Sequence, residues 1–289
     1  MGFRTIVISK RSKLNLTMGF LEVRGEETTR IFLDDVDILM IENQSVSMTA
    51  ALMTELMKKK IKVIFCDEKR NPQSEMIPYY GSRDSSRKIR KQIAWSDEIK
   101  EKVWTEIVRE KIKNQALFLK ELGKRREMEL LLGYLKELTL GDRTNREGLA
   151  AKVYFNGLFG MDFKREEETP INAAMDYGYS LILSTVNKEI VYNGYITQLG
   201  LFHNNIYNPF NLASDLMEPF RILIDRMVYT NMFTKFEVNE KHEILRLLEQ
   251  EIKVAGSTQI FTNAVRIYVR SVFDALCDEN TQEILFYSI

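Results

Sequence analysis

The chain has 289 residues, with 41 basic and 41 acidic side chains and a hydrophobic fraction of 45%. This length exceeds the roughly 100 to 200 residues of a single domain and predicts two domains. The composition is typical of a soluble globular protein. A net charge of zero limits only the sum of the charges, so a nucleic-acid partner that binds a local basic patch is not excluded.

The sequence lacks the usual features of exported and membrane proteins. No run approaches the roughly 18 apolar residues that a membrane span needs. The N-terminal segment MGFRTIVISK has neither an extended apolar core nor a small-residue cleavage site. Cys66 and Cys277 form no CxxC pattern, which disfavours a thiolate zinc site and favours a reducing compartment. We therefore expect a cytoplasmic protein with no membrane partner.

Residues 1–82 are predicted to form a small β-rich domain. Four short segments rich in β-branched and aromatic residues alternate with Gly, Asn and Asp turn signals: FRTIVIS, FLEVRG, TRIFL and DILMIE. MTAALMTELMKKK then has helical spacing, and IKVIFC at 61–66 is typical of a buried strand. The pattern indicates a sheet or a β-sandwich-like pair of sheets.

Residues 83–95 form a basic linker between the two predicted domains. Asp84 is the one acid in this segment, against the five basic residues Arg83, Arg87, Lys88, Arg90 and Lys91. Such a charge run is usually a solvated surface, and a phosphate-binding patch is the alternative.

From Ser96 onwards the hydrophobic period changes from about 2 to about 3.6 residues. Ser96 is a suitable N-cap, with Asp97 and Glu98 near the positive end of the helix dipole. Helical spacing continues towards the end of the chain, so residues 96–289 are predicted to be an all-helical domain. The predicted fold class is therefore α+β, with a β-sandwich-like domain followed by an all-helical one.

The segment HNNIYNPFNLASDLMEPFR holds one of the 2 histidines, His203, followed by Asp215 and Glu218. Residues three apart lie on one helix face and are close enough to share a cation, and Pro219 places this turn early in a helix or at a kink. A nitrogen ligand from His203 would give a mixed N and O set that suits Mg²⁺ or Mn²⁺. The spacing alone is a weak signal, and solvated acids beside a packed histidine are the alternative.

A second acidic centre lies in TNREGLAAKVYFNGLFG. Asn145 is a suitable cap for a helix whose first turn contains Glu147, and the helix dipole alone would explain that glutamate. GxGxxG, GxxxxGK[ST], GxSxG and HExxH are absent, which excludes the simplest dinucleotide, P-loop, esterase and zinc-protease functions.

Four segments together resemble the CRISPR-associated integrase and endonuclease family, that of the first-numbered CRISPR-associated protein, in the form found beside single-effector (type II) systems. They are VIFCDEKRNPQSEMIPYYGSRDSS, NREGLAAKVYFNGLFG, PINAAMDYGYSLIL and GLFHNNIYNPFNLASDLMEPFR. The resemblance covers essentially the whole chain. It implies an N-terminal β-domain that forms a homodimer, a linker, and a helical domain with a divalent-metal site.

The resemblance assigns Glu147, His203 and Glu218 as the catalytic metal ligands of a Mg²⁺ or Mn²⁺ ion. It places Asp215 nearby, as a ligand or as an outer support, and Arg221 against a phosphate or in a salt bridge. It also places three further structural or supporting residues close to the site: Asn172, Tyr177 and Tyr179.

The implied activity is metal-dependent insertion of short DNA fragments into a CRISPR array, as part of antiviral immunity. A fragment's 3′-hydroxyl attacks a phosphodiester and displaces another, so no nucleotide fuel is required. The implied partners are short double-stranded fragments, repeat DNA, a second copy of the chain, the second-numbered CRISPR-associated protein and other proteins of the same system. The alternatives are a DNA-binding scaffold with a structural or degenerate metal site and a hydrolytic DNA repair nuclease.

With this resemblance, the basic linker is the first candidate for DNA contacts. Phosphate contacts by Lys and Arg hold DNA without reading its sequence. Arg109, Lys111 and Lys113 on the next predicted helix are further candidates.

Overall fold

The computed structural model describes residues 2–79 and 81–288, so the ends of the predicted domains at residues 1 and 289 lie outside the described residues. The N-terminal elements are, in order, β1 (Arg4–Ile8), β2 (Lys13–Thr17), β3 (Phe20–Arg24), β4 (Thr28–Phe32), β5 (Val36–Ile41), β6 (Ser47–Met48), α1 (Ala50–Lys58), β7 (Lys62–Cys66) and β8 (Pro72–Glu75).

The second part is mainly helical. Its elements are α2 (Ser85–Ala94), α3 (Asp97–Glu121), α4 (Arg125–Lys136), α5 (Arg146–Phe159), α6 (Pro170–Tyr192), α7 (Asn211–Leu216), α8 (Arg221–Asn231), α9 (Val238–Leu245), β9 (Glu251–Val254), β10 (Ser257–Ile260), α10 (Phe261–Asp278) and β11 (Tyr287–Ser288). Short 3₁₀ turns lie at Leu33–Asp35, Leu140–Asp142, Glu218–Phe220, Arg246–Glu249 and Thr281–Glu283.

The N-terminal strands form two sheets that share one apolar core. One sheet has the order β1-β5-β7-β8, with β1, β5 and β7 parallel, and the other has the order β4-β3-β2-β6. Leu14 and Leu21 of the second sheet, Leu39 of the first and Leu52 of α1 are buried in this core. The predicted β-rich N-terminal region is therefore confirmed.

Strand β5 connects this core to the helical part. All six of its residues are buried. Leu39 and Ile41 face the N-terminal core, whereas Ile38 and Met40 belong to the larger core formed with the helices. Because side chains alternate between the two faces of a strand, a strand covered on both faces must be largely apolar, as its sequence is.

The helical part agrees with the predicted caps. The Ser96 side chain accepts a hydrogen bond from the backbone N–H of Ile99 at the start of α3. The Asn145 side chain accepts one from Gly148 at the start of α5. Within residues 2–79 and 81–288, no helix is both long and apolar enough to span a membrane.

The all-helical prediction is wrong for one segment near the C-terminus, where β9 pairs with both β10 and β11. Ile252 and Val254 of β9 are buried and the residue between them is exposed, which is the period of a strand. Ala255 and Gly256 have φ values of 50° and 75° and form the tight turn of a hairpin. The helical spacing of apolar residues in α9 therefore gives way to the alternating spacing of a strand in β9.

The predicted linker is mostly helix α2, and the buried side chain of Gln92 anchors this helix. Gln92 donates to the carbonyl oxygens of Ile196 at 2.8 Å and Leu199 at 3.1 Å, and it accepts from the N–H of Ile196 at 3.0 Å. These bonds tie α2 to the loop that leads to His203. The limits of the predicted domains, at residues 82 and 95, stay predictions.

Candidate active site

Two acids that are distant in the sequence meet at one lysine. The Lys111 Nζ atom lies 2.5 Å from Glu218 Oε2 and also contacts Glu147 Oε1. The Lys111 side chain is 9% exposed and that of Glu218 is 5% exposed, whereas Glu147 is half-buried. Helix α3, the first turn of α5 and the turn before α8 therefore converge on a single positively charged atom.

Glu147 is held in place by the helix start around it. The Asp142 carboxylate accepts hydrogen bonds from the backbone N–H groups of Arg146 at 2.7 Å and Glu147 at 2.9 Å. Asn145 caps the same turn from a left-handed backbone conformation with φ 52°. Side-chain acceptors thus satisfy the free N–H groups of this helix end and fix the direction of its first turn.

Glu218 lies in a 3₁₀ turn between α7 and α8, where Pro219 breaks the helix as expected. The Phe220 ring is fully buried and stacks on Tyr287, with ring centroids 5.0 Å apart and an interplanar angle of 14°. The Tyr287 hydroxyl donates to the carbonyl oxygen of Pro219 at 2.8 Å. The C-terminal strand β11 therefore supports the turn that presents Glu218.

Asp215 and Glu218 have different partners among the described residues, because Glu218 faces Lys111 and Arg221 whereas Asp215 faces His203. Asp215 is fully buried on α7 and accepts from the N–H groups of Leu201 at 2.6 Å, Phe202 at 3.1 Å and His203 at 3.1 Å. Asp215 lies on α7, and Glu218 lies in the 3₁₀ turn that follows it. Asp215 therefore supports the loop between α6 and α7 that carries His203 (the histidine loop), whereas Glu218 faces Lys111.

The same Asp215 carboxylate orients the His203 ring. Its Oδ1 atom lies 2.6 Å from His203 Nδ1, so in the neutral imidazole Nδ1 carries the proton and Nε2 keeps its lone pair. The His203 side chain is 38% exposed, and Nε2 has no hydrogen-bond partner among the described residues. A Cβ atom at Gly200 would lie 2.3 Å from the His203 carbonyl oxygen, so the loop requires glycine there.

The rings of the histidine loop pack onto α3. Trp104 stacks on Phe202 with centroids 4.6 Å apart, and the His203 ring lies edge-on to Trp104 at 5.9 Å. Trp104 and Lys111 lie two helical turns apart on α3, and sequence analysis did not assign either to the metal site. Their spacing of seven residues indicates only that they share one face of the helix, and it gives no signal for contact with the two acids.

The electrostatics of the site favour charged side chains. Burial raises the pKa of Glu218, but the positive charges of Arg221 and Lys111 outweigh burial and hold this pKa below its ordinary value. Burial lowers the pKa of Lys111, but Glu218 and Glu147 outweigh it and raise this pKa above its ordinary value. The hydrogen bond to Asp215 raises the pKa of His203.

Two of the predicted supporting residues, Arg221 and Tyr179, form a chain of contacts that starts at Glu218. Arg221 Nη2 lies 3.0 Å from Glu218 Oε1, which favours the salt-bridge alternative for Arg221. Its guanidinium carbon lies 4.8 Å from the centroid of the Tyr179 ring, and the Tyr179 hydroxyl donates to the buried Asp225. Asp225 was not identified from the sequence.

Two other predicted supporting residues have partners elsewhere. The Tyr177 hydroxyl lies 4.0 Å from Met40 Sδ, where α6 meets β5. The Asn172 side chain donates to the carbonyl oxygens of Lys164 and Glu167 and fixes the loop before α6. Their contacts are those of structural residues.

The basic linker presents most of its charges to solvent. Arg83, Arg87, Arg90 and Lys91 are exposed, and only Arg87 of these four has an ion-pair partner among the described residues, Asp84 at 2.5 Å. Lys88 is half-buried and lies 3.5 Å from the same Asp84.

The candidates on α3 differ from this exposed group. Arg109 pairs with Glu106, and Lys113 pairs with Glu110. Lys111 as a phosphate-binding residue is contradicted, because its ammonium group is buried between two carboxylates.

The ligand atoms of Glu147, Glu218 and His203 are of the kind that binds a hard divalent cation. Their present positions do not form a metal-binding cluster. Within residues 2–79 and 81–288, no group of three or more His, Cys, Asp and Glu side chains is arranged to hold a metal ion. Glu147 and Glu218 nevertheless contact one and the same cationic atom, and His203 offers a free Nε2. Two carboxylates and an imidazole are suitable ligands for Mg²⁺ or Mn²⁺.

Comparisons with known sequences identify the family. The family model described as CRISPR associated protein Cas1 matches residues 5–253. The CRISPR-associated endonuclease Cas1 of Neisseria meningitidis serogroup C (strain 8013) is 31% identical, over 98% of this chain and 95% of that protein. CRISPR-associated endonuclease Cas1 1 of Francisella tularensis subsp. novicida (strain U112) is 23% identical, over 89% of this chain and 85% of that protein.

Solved structures share the fold at low sequence identity. A Cas1 protein from Thermotoga maritima has a TM-score of 0.72 and 16% identity, over 94% of this chain and 96% of that chain. A casposase bound to integration product has a TM-score of 0.76 and 18% identity, over 96% and 91% of the two chains. A chain of a Cas6-RT-Cas1–Cas2 complex has a TM-score of 0.74 and 16% identity, over 97% of this chain and 36% of that longer chain.

These structural matches confirm the predicted α+β fold class. The family model matches well over half of the chain, and the Neisseria relative matches almost all of it. As its sequence motifs predicted, the chain belongs to the CRISPR-associated protein Cas1 family.

Proposed function

We propose that this protein is a divalent-metal-dependent DNA integrase and endonuclease that inserts short DNA fragments into a CRISPR array. The reaction exchanges one phosphodiester for another through attack of a fragment's 3′-hydroxyl group. One observation carries the proposal: Glu147 and Glu218, which are far apart in the sequence, contact one cationic atom. Besides the hydrogen bond to Asp215, the charge of Glu218 also raises the pKa of His203, and the His203 Nε2 atom is free among the described residues. The printed name of the Neisseria relative, an endonuclease, agrees with this activity.

Glu147, Glu218 and His203 would hold the metal ion, which is Mg²⁺ or Mn²⁺. When bound, such an ion withdraws charge from a phosphoryl oxygen and stabilises the attacking or leaving oxygen. Asp215 keeps the proton on His203 Nδ1, so that Nε2 stays available as a ligand. The Arg221 guanidinium pairs with Glu218 Oε1 and holds that carboxylate in one orientation.

Three further parts of the proposal concern partners. The exposed basic residues of α2 would contact DNA phosphates, because Lys and Arg supply affinity that does not depend on sequence. The same fold in a chain of a Cas6-RT-Cas1–Cas2 complex supports assembly with the second-numbered CRISPR-associated protein, Cas2. A second copy of the chain would join through the N-terminal β-rich part.

A strand-transfer assay tests this function. A double-stranded fragment with free 3′-hydroxyl groups is mixed with a plasmid that carries repeat DNA, with Cas2 present and with Mn²⁺, Mg²⁺ or EDTA. We expect joined products only with a metal ion, and none from Glu147→Gln, His203→Ala or Glu218→Gln. Dideoxy-terminated fragments, which lack the attacking hydroxyl group, serve as the control.

Two results would contradict the proposal. Cleavage of the plasmid without joining would indicate a hydrolytic nuclease. DNA binding with no reaction in any metal, unchanged in the three variants, would indicate a scaffold. Far-ultraviolet circular dichroism of each variant shows whether loss of joining reflects loss of the fold.

A further inference from the structure

Lys111 occupies the position between the two acids of the proposed metal centre. It extends from the middle of α3, is almost completely buried, and contacts Glu147 Oε1 and Glu218 Oε2. The second oxygen of Glu218 is taken by Arg221 at 3.0 Å. The oxygens that would face a metal ion are therefore the ones that face the ammonium group.

An ammonium group and a metal ion cannot both occupy this position. A divalent ion bound to these oxygens would lie about 2.0 to 2.6 Å from each of them, which is the space that the Lys111 nitrogen fills. The two cations would also repel each other strongly at such a distance. Binding of a metal ion therefore requires the lysine to leave, which its flexible four-carbon chain allows.

The ammonium group also has a role without the metal. Two carboxylates that contact one nitrogen atom are close enough to repel each other. The shared positive charge of Lys111 offsets this repulsion and holds both acids close together. Lys111 thus holds α3, α5 and the turn before α8 together before any metal binds.

We propose that Lys111 is an internal counter-ion that occupies the cation position of the metal centre and is displaced when a divalent ion binds. The inference rests on the metal centre of the proposed function. It predicts that the lysine stabilises the metal-free protein and, as a competitor, weakens metal binding.

Mn²⁺ binding to the DNA-free protein tests the exchange. Lys111→Met keeps most of the apolar chain and removes the competing charge. We expect calorimetry to give Mn²⁺ affinity at least about tenfold higher than in the wild type, because a unit charge close to the ion is removed. In EDTA the melting temperature of the variant falls, and its rise on adding Mn²⁺ is larger than that of the wild type.

Lys188→Met is the matched control. Lys188 is equally buried and pairs with the buried Asp37, at the contact of α6 with β5. This variant is expected to lose stability as well, but to bind Mn²⁺ with the affinity of the wild type. A gain in affinity that appears only in Lys111→Met therefore reports competition at the metal centre.

A labelling experiment on the unmodified chain gives an independent result if Lys111→Met does not fold. An amine-specific reagent followed by peptide mass spectrometry compares Lys111 in EDTA and in Mn²⁺. We expect protection in EDTA and labelling in Mn²⁺, with Lys188 protected in both.

The outcomes separate the two proposals. If the wild type binds Mn²⁺, but Lys111→Met binds it no more tightly or Lys111 stays protected, the counter-ion inference is wrong and the metal centre stands. If neither the wild type nor the variant binds Mn²⁺, both proposals are overturned.

Discussion

Asp215 shows how one buried carboxylate defines the geometry of a loop. It accepts three backbone N–H groups and faces the Nδ1 atom of His203. A carboxylate has about four lone-pair positions, and all of them are used here. Asp215 is therefore a support of the histidine, and this geometry argues against its alternative role as a metal ligand.

Asp215→Asn is expected to weaken Mn²⁺ binding by about 10- to 100-fold, the usual effect of losing a support of a ligating histidine. The amide nitrogen would face N–H donors of the loop, so His203 would lose its fixed ring orientation. Calorimetry with Mn²⁺ and the strand-transfer rate measure the effect. Asp176→Asn is the control, because Asp176 is exposed and pairs with Arg165. Equal affinities in the wild type and Asp215→Asn would contradict this role.

Asp225 links the stability of the site to pH. Its burial raises its pKa from the ordinary 3.8 to about 6. The folded state therefore holds this proton more tightly than the unfolded state. The contribution of Asp225 to the free energy of unfolding falls as the pH rises from 3.8 to about 6.

Asp225→Asn should remove that dependence on pH and keep an acceptor for the Tyr179 hydroxyl group. The free energy of unfolding of the variant minus that of the wild type should rise by about 3 kcal/mol as the pH rises from 3.8 to about 6. Urea unfolding at a series of pH values measures this difference. A difference that stays constant with pH would mean that Asp225 has an ordinary pKa.

At the scale of elements, α3 and α2 have separate tasks. Helix α3 supplies Trp104 to the histidine loop and Lys111 to the two acids, so one rigid helix sets the distance between them. Helix α2 presents exposed charges and is tied through Gln92 to the loop before His203. An element that would bind DNA is thus joined directly to the element that carries a proposed metal ligand.

Neutralising the exposed charges of α2, together with Arg83 two residues before it, tests their contact with DNA. The fourfold variant replaces Arg83, Arg87, Arg90 and Lys91 by Gln and leaves the half-buried Lys88 unchanged. DNA affinity should fall, and the slope of log K against log salt should flatten by about 0.9 for each phosphate that the variant no longer neutralises. Thermal stability should change little, because these side chains are exposed.

The control for α2 is a second basic group at the start of α4. Arg125 and Arg126 are exposed there, and Arg125 pairs with Glu129. Binding is measured by fluorescence anisotropy over a range of salt concentrations. An unchanged slope in the α2 variant, or an equal change in Arg125→Gln/Arg126→Gln, would rule out a specific role for α2.

At the scale of the whole molecule, buried ion pairs join the N-terminal sheets to the helices. Asp37 on β5 contacts Lys188 on α6 and lies 3.5 Å from Arg266 on α10. Arg266 also lies 3.4 Å from Glu189. Because β5 contributes apolar residues to both cores, these charges lie at the contact between the two parts of the chain.

Lys188→Met should lower the free energy of unfolding by about 3 to 5 kcal/mol, because it leaves the Asp37 carboxylate without its main partner in a buried position. Asp37→Asn/Lys188→Met should lose much less than the sum of the two single variants. Urea unfolding of the three variants gives the coupling energy. Strictly additive losses would show that the pair does not join the two parts.

The sequence by itself determined the class of the fold, the helix caps at Ser96 and Asn145, and the family. These properties depend on local patterns: alternation in strands, helical spacing, and motifs that occur in a fixed order. It also singled out Glu147, His203 and Glu218 through the family motifs. Glu147 and Glu218 meet at Lys111, and the role of the three residues as ligands stays a prediction.

Only the tertiary structure decided which groups meet. Lys111 contacts Glu147 and Glu218 across 36 and 107 positions of the chain, and no local pattern predicts that a lysine is buried between two acids. Asp215 faces His203 whereas Glu218 faces Lys111, and pairing of β9 with β10 and β11 replaced an expected helix. In each case the reason is physical: contacts between distant segments set burial and charge balance, and these outweigh local propensity.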